Sequence, residues 1–179
     1  MRRWVPFSAG LAPTVLIGGW MLAASRQQGG FDQVRDTISA LAAHGADDRW
    51  LMTGALYALG AAHLATAAGL EESHKAGRAV LAVGGITAAL VAAFPQPSAG
   101  HFPAATVSFV ALALWPAVSG LPTKAGGRWA TAGLLTLMGW FALELGDGDL
   151  LGLTERVVAG AEALWPLAVV LAVRSRATE

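Results

Sequence analysis

The sequence predicts an all-α polytopic membrane protein, a bundle of six transmembrane helices with a short extracytoplasmic helix between spans one and two. Three observations predict it. Of the 179 residues, 55% are hydrophobic and 13% are charged, about half the charged share of a soluble domain. The apolar residues form nearly unbroken runs instead of the amphipathic stripes of a soluble core. Lys and Arg fall at the ends of those runs, where membrane proteins place them.

The first span is read over Val5–Ala24, with Pro6 near its start and Pro13 inside it. The others follow as Trp50–Leu70, Ala79–Phe94, Pro103–Leu121, Trp129–Leu145 and Val157–Val173. Residues 1–179 thus form a single integral membrane domain. A helix rises about 1.5 Å per residue, so roughly 20 residues cross a hydrocarbon core of about 30 Å. The third and fifth spans are short and fit by local bilayer thinning or an upright stance. A signal peptide cut after Ala24 is the competing reading of the N-terminus. Its apolar run is longer than a typical h-region of about 7–15 residues and contains two prolines.

Basic residues set the orientation. With the N-terminus inside, Arg2, Arg3, Lys75, Arg78, Lys124, Arg128, Arg174 and Arg176 are cytoplasmic. Arg26, Arg35, Arg49 and Arg156 are outside, and the last three stand beside acids. Eight against four puts both termini in the cytoplasm of a multi-pass protein of the bacterial inner membrane. The ten Arg, two Lys and abundant Ala and Gly suggest a GC-rich bacterial genome. Trp4, Trp50 and Trp129 fall at span ends as interfacial anchors. Small residues such as Gly54, Ala58 and Gly60 allow close helix packing.

Between the first two spans, "GFDQVRDTISALAAHGADDRW" holds six of the chain's 24 charged residues. Val34, Ile38 and Leu41 recur at helical spacing, Asp36 or Thr37 can cap the start, and Gly45 follows the end. This predicts a helix of ten residues over 35–44, too short to span and suited to covering the bundle. Asp47 or Asp48 is expected to cap the second span.

All three outer segments are polar. They supply Asp32, Arg35, Asp36, His44 and Arg49, then Gln96 and His101, then Glu144, Asp147, Asp149, Glu155 and Arg156. Glu162 follows Arg156 by six residues, about 9 Å deeper along a helix. A carboxylate at that depth is costly, so it faces the bundle interior and needs a partner or a water-filled cavity. The expected site is therefore an acid-rich cavity at the outer end. Glu162, Asp36 and Glu144 are the acid–base candidates. Asp32, Arg35, Arg49, Gln96, His101, Glu155, Arg156 and Trp165 are the substrate-binding candidates. A structural ion pair of Glu162 with Arg35 or Arg49 is the competing reading. His63, 13 residues into its span, reads as an interhelical hydrogen bond away from this cluster. No metal-ligand spacing, nucleotide fingerprint or nucleophile motif is present, so neither a metal nor a cofactor is expected. There is no Cys, net charge is zero, and no basic face points to nucleic acid.

The segments "VRDTISALAAHGADDRWLMT", "AAFPQPSAGH", "SFVALALWP" and "ERVVAGAEALWP" resemble the bacterial six-span membrane proteins of domain-of-unknown-function family 998. The resemblance runs from about residue 10 to 174. It implies a six-helix membrane bundle and no established reaction. Its recurring polar positions correspond to Asp32, Arg35, Asp36, Ser39, Pro95, His101, Glu155 and Arg156. That family is distantly similar to the eukaryotic FRAG/DRAM/Sfk group, linked to lipid organisation, an analogy that does not fix function.

Three functional classes follow, the third a proton-coupled transporter. The first is an intramembrane enzyme acting on a lipid or isoprenoid by acid–base chemistry, similar in general design to membrane terpene cyclases. Trp20, Trp115, Trp140 and Trp165 are the aromatic faces available to a cation. The second is a non-catalytic lipid-binding or accessory protein whose arginines meet headgroups. The expected partners are membrane lipids or a hydrophobic small molecule. A proton-coupled transporter of 179 residues would need a homo-oligomer.

Overall fold

The computed structural model describes residues 1–121, 126–146 and 148–176. Lys124 and Asp147 lie outside the described residues. Among the described residues six long helices form: α1 Val5–Ala24, α2 Trp50–Gly69, α3 Lys75–Ala93, α4 His101–Val118, α5 Gly127–Glu144 and α6 Leu151–Arg176. Each packs on the next in sequence, and α6 returns to α1, so the helices close a ring. The first residues and the end of α6 fall at one end. There the Arg2 N–H donates to the Gly69 carbonyl at 3.0 Å, and the Met1 ammonium pairs with Glu72. The other end is covered by residues 25–49, here called the lid.

Helices α3 and α6 begin earlier than their apolar runs. The first turn of α3 holds Lys75 and Arg78. The Arg78 guanidinium donates to the Ala67 and Ala68 carbonyls at 2.7 and 2.8 Å, which closes the end of α2. The first turns of α6 hold Glu155 and Arg156, both buried under the lid. Charge in these turns hides the helix from a hydropathy reading, although the backbone is already helical.

Five helices are long and apolar enough to cross a membrane among the described residues, α5 being the exception. The 18 residues of α5 include Arg128 and Glu144 at its ends, which leaves a shorter apolar run between them. The expected count of six is therefore met as helices and not as apolar spans.

Packing is tight on one side of the ring. A Cβ added at Gly60 of α2 would stand 2.5 Å from the Gly85 carbonyl oxygen of α3, so the two backbones touch there. Gly54, by contrast, faces open space. Two apolar clusters fill the interior. Leu16, Trp20, Ile38, Leu41, Met52 and Leu59 form one towards the lid. Val5, Leu70, Leu81, Trp115 and Val169 form the other towards the termini.

The predicted lid helix over 35–44 does not form; a single 3-10 turn, Ser39–Ala42, stands there. The cause lies in where the backbone bonds go. The Leu153 N–H of α6 donates to the Val34 carbonyl at 2.9 Å. Arg156 takes the Gln33 and Asp36 carbonyls at 2.8 and 2.7 Å, and the Ile38 N–H donates to Glu155. A helix needs those groups for its own ladder. The predicted buried face survives in part, with Ile38 and Leu41 buried and Val34 exposed. Thr37 does cap the short turn, accepting from the Ala40 N–H at 3.0 Å. Neither aspartate caps α2. Asp47 accepts instead from the Gln28 N–H at 3.0 Å, and Asp48 from the Trp50 indole at 3.3 Å.

Candidate functional site

Glu155 and Arg156 fasten the lid to the ring. One Glu155 carboxylate oxygen accepts from the Ile38 N–H, and the other accepts from the Ser39 hydroxyl at 3.1 Å. Arg156 Nη1 donates to the carbonyls of Gln33, Asp36 and, at 2.8 Å, Gly152. Its guanidinium carbon lies 5.7 Å from the Phe31 ring centroid, in range of a cation–π contact. Gly152 lets the lid approach this closely, because any side chain there would run into the Asp36 carbonyl. Hydrogen bonds to charged groups are worth about 1.5–3 kcal/mol each. The lid is thus held by charge-assisted bonds to its backbone, on top of the burial of Ile38 and Leu41.

Beneath the fastened lid lie two adjoining cavities. The larger, about 280 Å³, is walled by α4, α5 and the lid and lined by Phe102, Phe109, Val110, Met138, Phe141 and Leu145, among others. Its polar lining includes Gln96, His101 and Glu155. It exists because α5 stands off the ring towards this end. The only buried residues of α5 among those described are Thr131 and Leu134, both in its first half. Phe109 and Phe141 bridge the gap with ring centroids 5.5 Å apart. Phe102, Val110 and Leu145 are exposed on the outer side, so the cavity meets the apolar flank of the bundle.

The smaller cavity, about 60 Å³, lies inside the ring. Ser39, Ala105, Phe109 and Glu155 line both cavities. Its polar wall comprises Ser39, His63, Ser108, Glu155 and Glu162. Glu162 is 2% exposed and His63 0%, yet Glu162 Oε1 and both ring nitrogens of His63 have no hydrogen-bond partner. Buried polar groups are normally paired, and leaving one unpaired costs about 1–3 kcal/mol. Two such groups on one small cavity give it unmet hydrogen-bonding capacity.

The expected residues divide accordingly. Glu162, Glu155, Gln96 and His101 line the cavities. His101 Nδ1 is engaged with the Phe94 carbonyl at 2.9 Å. Asp36 and Glu144 line neither. Asp36 accepts from the Asp32 N–H at 2.8 Å, within the lid, and Glu144 accepts from the Leu150 N–H at 3.0 Å, closing the α5–α6 turn. Asp32 accepts from the Val34 N–H at 2.8 Å. Arg35 forms an exposed pair with Asp149 at 3.1 Å. Arg49 donates to the Ala42 carbonyl at 3.3 Å. Arg156 serves the lid backbone, and Trp165 packs against the apolar cluster at the termini end. Trp20 and Trp115 are core residues and Trp140 is on the surface. The aromatic rings that do line the larger cavity are phenylalanines.

The reading of His63 as an interhelical hydrogen bond away from the acidic cluster does not hold. No hydrogen bond between helices engages it; its ring faces the same cavity as Glu162. A depth argument could have found it. His63 lies 13 residues from the lid end of α2 and Glu162 lies 11 from that end of α6, which sets both roughly 16–20 Å deep.

No curated protein and no solved structure matches the chain. The family model described as "Protein of unknown function (DUF998)" matches residues 10–172, nearly the whole ring and its lid, and the chain belongs to that family.

Proposed function

We propose that this protein admits the apolar chain of a lipid or isoprenoid into the larger cavity and carries out acid–base chemistry on it at the smaller one. One observation carries the reading: a carboxyl and an imidazole, both buried and both unpartnered, share a small cavity that adjoins an apolar chamber. Ligand sites combine apolar walls with a few convergent polar groups in this way. Entry is lateral, past Phe102 and Leu145, directly from the hydrocarbon. Glu162 is the acid that delivers a proton to a double bond or oxygen of the substrate, and His63 accepts one from the cation so formed. Hydrogen count is unchanged, and the proton returns from His63 to Glu162 through the cavity. The phenylalanine faces of the larger cavity offer the cation a π surface.

The non-catalytic reading, a lipid-binding or accessory protein, is favoured by Asp36 and Glu144, whose carboxylates are bonded to backbone away from both cavities. Mass spectrometry of lipid copurified with the wild type and with Glu162→Gln separates the readings. An enzyme yields substrate enriched at least tenfold over product in the Gln variant. An unchanged lipid profile sinks the catalytic reading and leaves the binding one.

The surplus of Lys and Arg at the termini end supports a cytoplasmic location for both termini, six crossings including α5, and a lid facing outwards. Reporter fusions after Gln27 and Ser98 should report outside and one after Lys75 inside. A cytoplasmic signal at Ser98 refutes this topology.

A further inference from the structure

We infer that the smaller cavity is the seat of a neutral oxygen headgroup, a hydroxyl or carbonyl at the end of a single apolar chain, and that phosphorylated lipids are rejected there. The inference rests on the proposed chain-binding role of the larger cavity and specifies its ligand.

The argument begins with the hydrogen-bonding inventory. His63 presents two unpartnered nitrogens and Glu162 an unpartnered oxygen. The Ser108 hydroxyl donates to the Gly84 carbonyl at 3.2 Å and keeps its lone pairs. A neutral imidazole offers one donor and one acceptor. The cavity therefore holds both kinds of site within one small space. A hydroxyl fits such a set because it donates once and accepts once or twice. A carbonyl fits the donors alone. An ammonium head would answer Glu162 but carries no acceptor for a histidine N–H.

Charge excludes the anionic heads. No Lys or Arg is among the residues lining either cavity. The nearest candidate by sequence, Arg156, lines neither cavity; its Nη1 donates to three carbonyls, and its Nε and Nη2 are buried without a partner outside both linings. Two carboxyl groups, of Glu155 and Glu162, are present instead. A phosphate brought there would lose its water, find no cation and meet carboxyls, each unfavourable at low dielectric. Size agrees. The cavity of about 60 Å³ is well above the roughly 10–15 Å³ that one water needs and has room for a terminal hydroxymethyl group.

The position of the two cavities fixes the polarity of the bound molecule. The chain lies between α4 and α5, next to the membrane, and the head points inwards past Phe109 and Ala105, which line both spaces. The head is thus buried deeper in the protein than the tail, the reverse of a phospholipid at an interface.

The experiment uses the full chain purified in detergent and three probes of equal chain length: farnesol, farnesyl monophosphate and the parent hydrocarbon. Ligand retained per protein after gel filtration is counted by mass spectrometry, with farnesal as the carbonyl arm. The wild type is expected to retain farnesol at least tenfold over the monophosphate and over the hydrocarbon. Glu162→Leu and His63→Leu should each bring farnesol down to the hydrocarbon level and leave hydrocarbon retention unchanged, which also reports that the variants fold. Ala105→Trp, which blocks the passage, should lower all three. Farnesal retained in place of farnesol assigns the seat to a carbonyl; farnesol retained assigns it to a hydroxyl. Equal retention of farnesol, farnesal and hydrocarbon by the wild type overturns the headgroup inference while the chain site stands. Retention of the monophosphate at the farnesol level overturns it too. No retention of any probe overturns both the inference and the chain-binding reading.

Discussion

The α2–α3 contact and the α4–α5 contact are built from similar sequences and end up opposite in character. Both pairs are rich in Ala, Gly, Leu and Val. On α2 and α3 the glycines are used as contact points, and Gly60 and Gly85 bring the two backbones together. On α5 they are not. Gly133 and Gly139 have nothing within 4 Å of an added Cβ, and the half of the helix nearest the lid buries no residue. Helices in a bilayer gain little from the hydrophobic effect, so van der Waals packing of small residues decides how closely they associate. Where Gly meets backbone, the ring is sealed. Where Gly faces outwards, two phenylalanines meet across the gap and a cavity of about 280 Å³ remains. The larger proposed ligand chamber is therefore a packing defect kept on one side of an otherwise tight ring.

The largest expected effect tests the sealed side. Gly60→Leu forces a side chain into the α3 backbone, and its cost should exceed the usual overpacking range of about 1–3 kcal/mol. Little folded protein should survive extraction in detergent, whereas Gly139→Leu should melt within a degree or two of the wild type. Similar behaviour of the two variants would erase the contrast. Next comes the lid. Arg156→Leu strands the Gln33 and Asp36 carbonyls of the lid, and each buried acceptor left unpaired costs about 1–3 kcal/mol. Residues 25–49 should become cleavable by protease while the helices persist, and uniform unfolding instead would mean that the lid and ring are one unit. The smallest effect is a difference between two neighbours. Ile38→Asp places a carboxylate in the apolar cluster, whereas Ala40 is only partly buried. Ile38→Asp should lower the melting temperature by several degrees more than Ala40→Asp, and equal shifts would show that the turn does not seat Ile38 as described.

Much of this architecture was legible in the sequence, because apolar runs of span length form helices whatever their neighbours do. The first helix falls on its expected residues, and the second differs by one. The lid was legible as a cover and not as a conformation. Its backbone groups are claimed by Glu155 and Arg156, more than a hundred residues away in sequence, and no local pattern reports such a claim. Glu162 could be singled out because charge at that depth is costly. That it faces His63 across one cavity depends on which helices are neighbours in the ring and how each is rotated. A cluster of acids at one end likewise looked like a single site. In the structure most of the described carboxylates bond to nearby backbone N–H groups, and among the described residues only Glu155 and Glu162 reach the interior.

The lid also has a boundary that is free of such obligations. Gly29 and Gly30 both adopt positive φ, 81° and 100°, and nothing lies within 4 Å of where their side chains would begin. Upstream, Gln27 exchanges hydrogen bonds with Asp47; downstream, the chain is taken over by α6. The two glycines therefore separate a stretch that belongs to the first helix hairpin from one that belongs to the last helix. Extra sequence inserted between them would disturb neither set of bonds. That makes the Gly29–Gly30 bond a natural point at which to splice an epitope or a fluorophore, so that the movement of the cover could be watched in a living membrane.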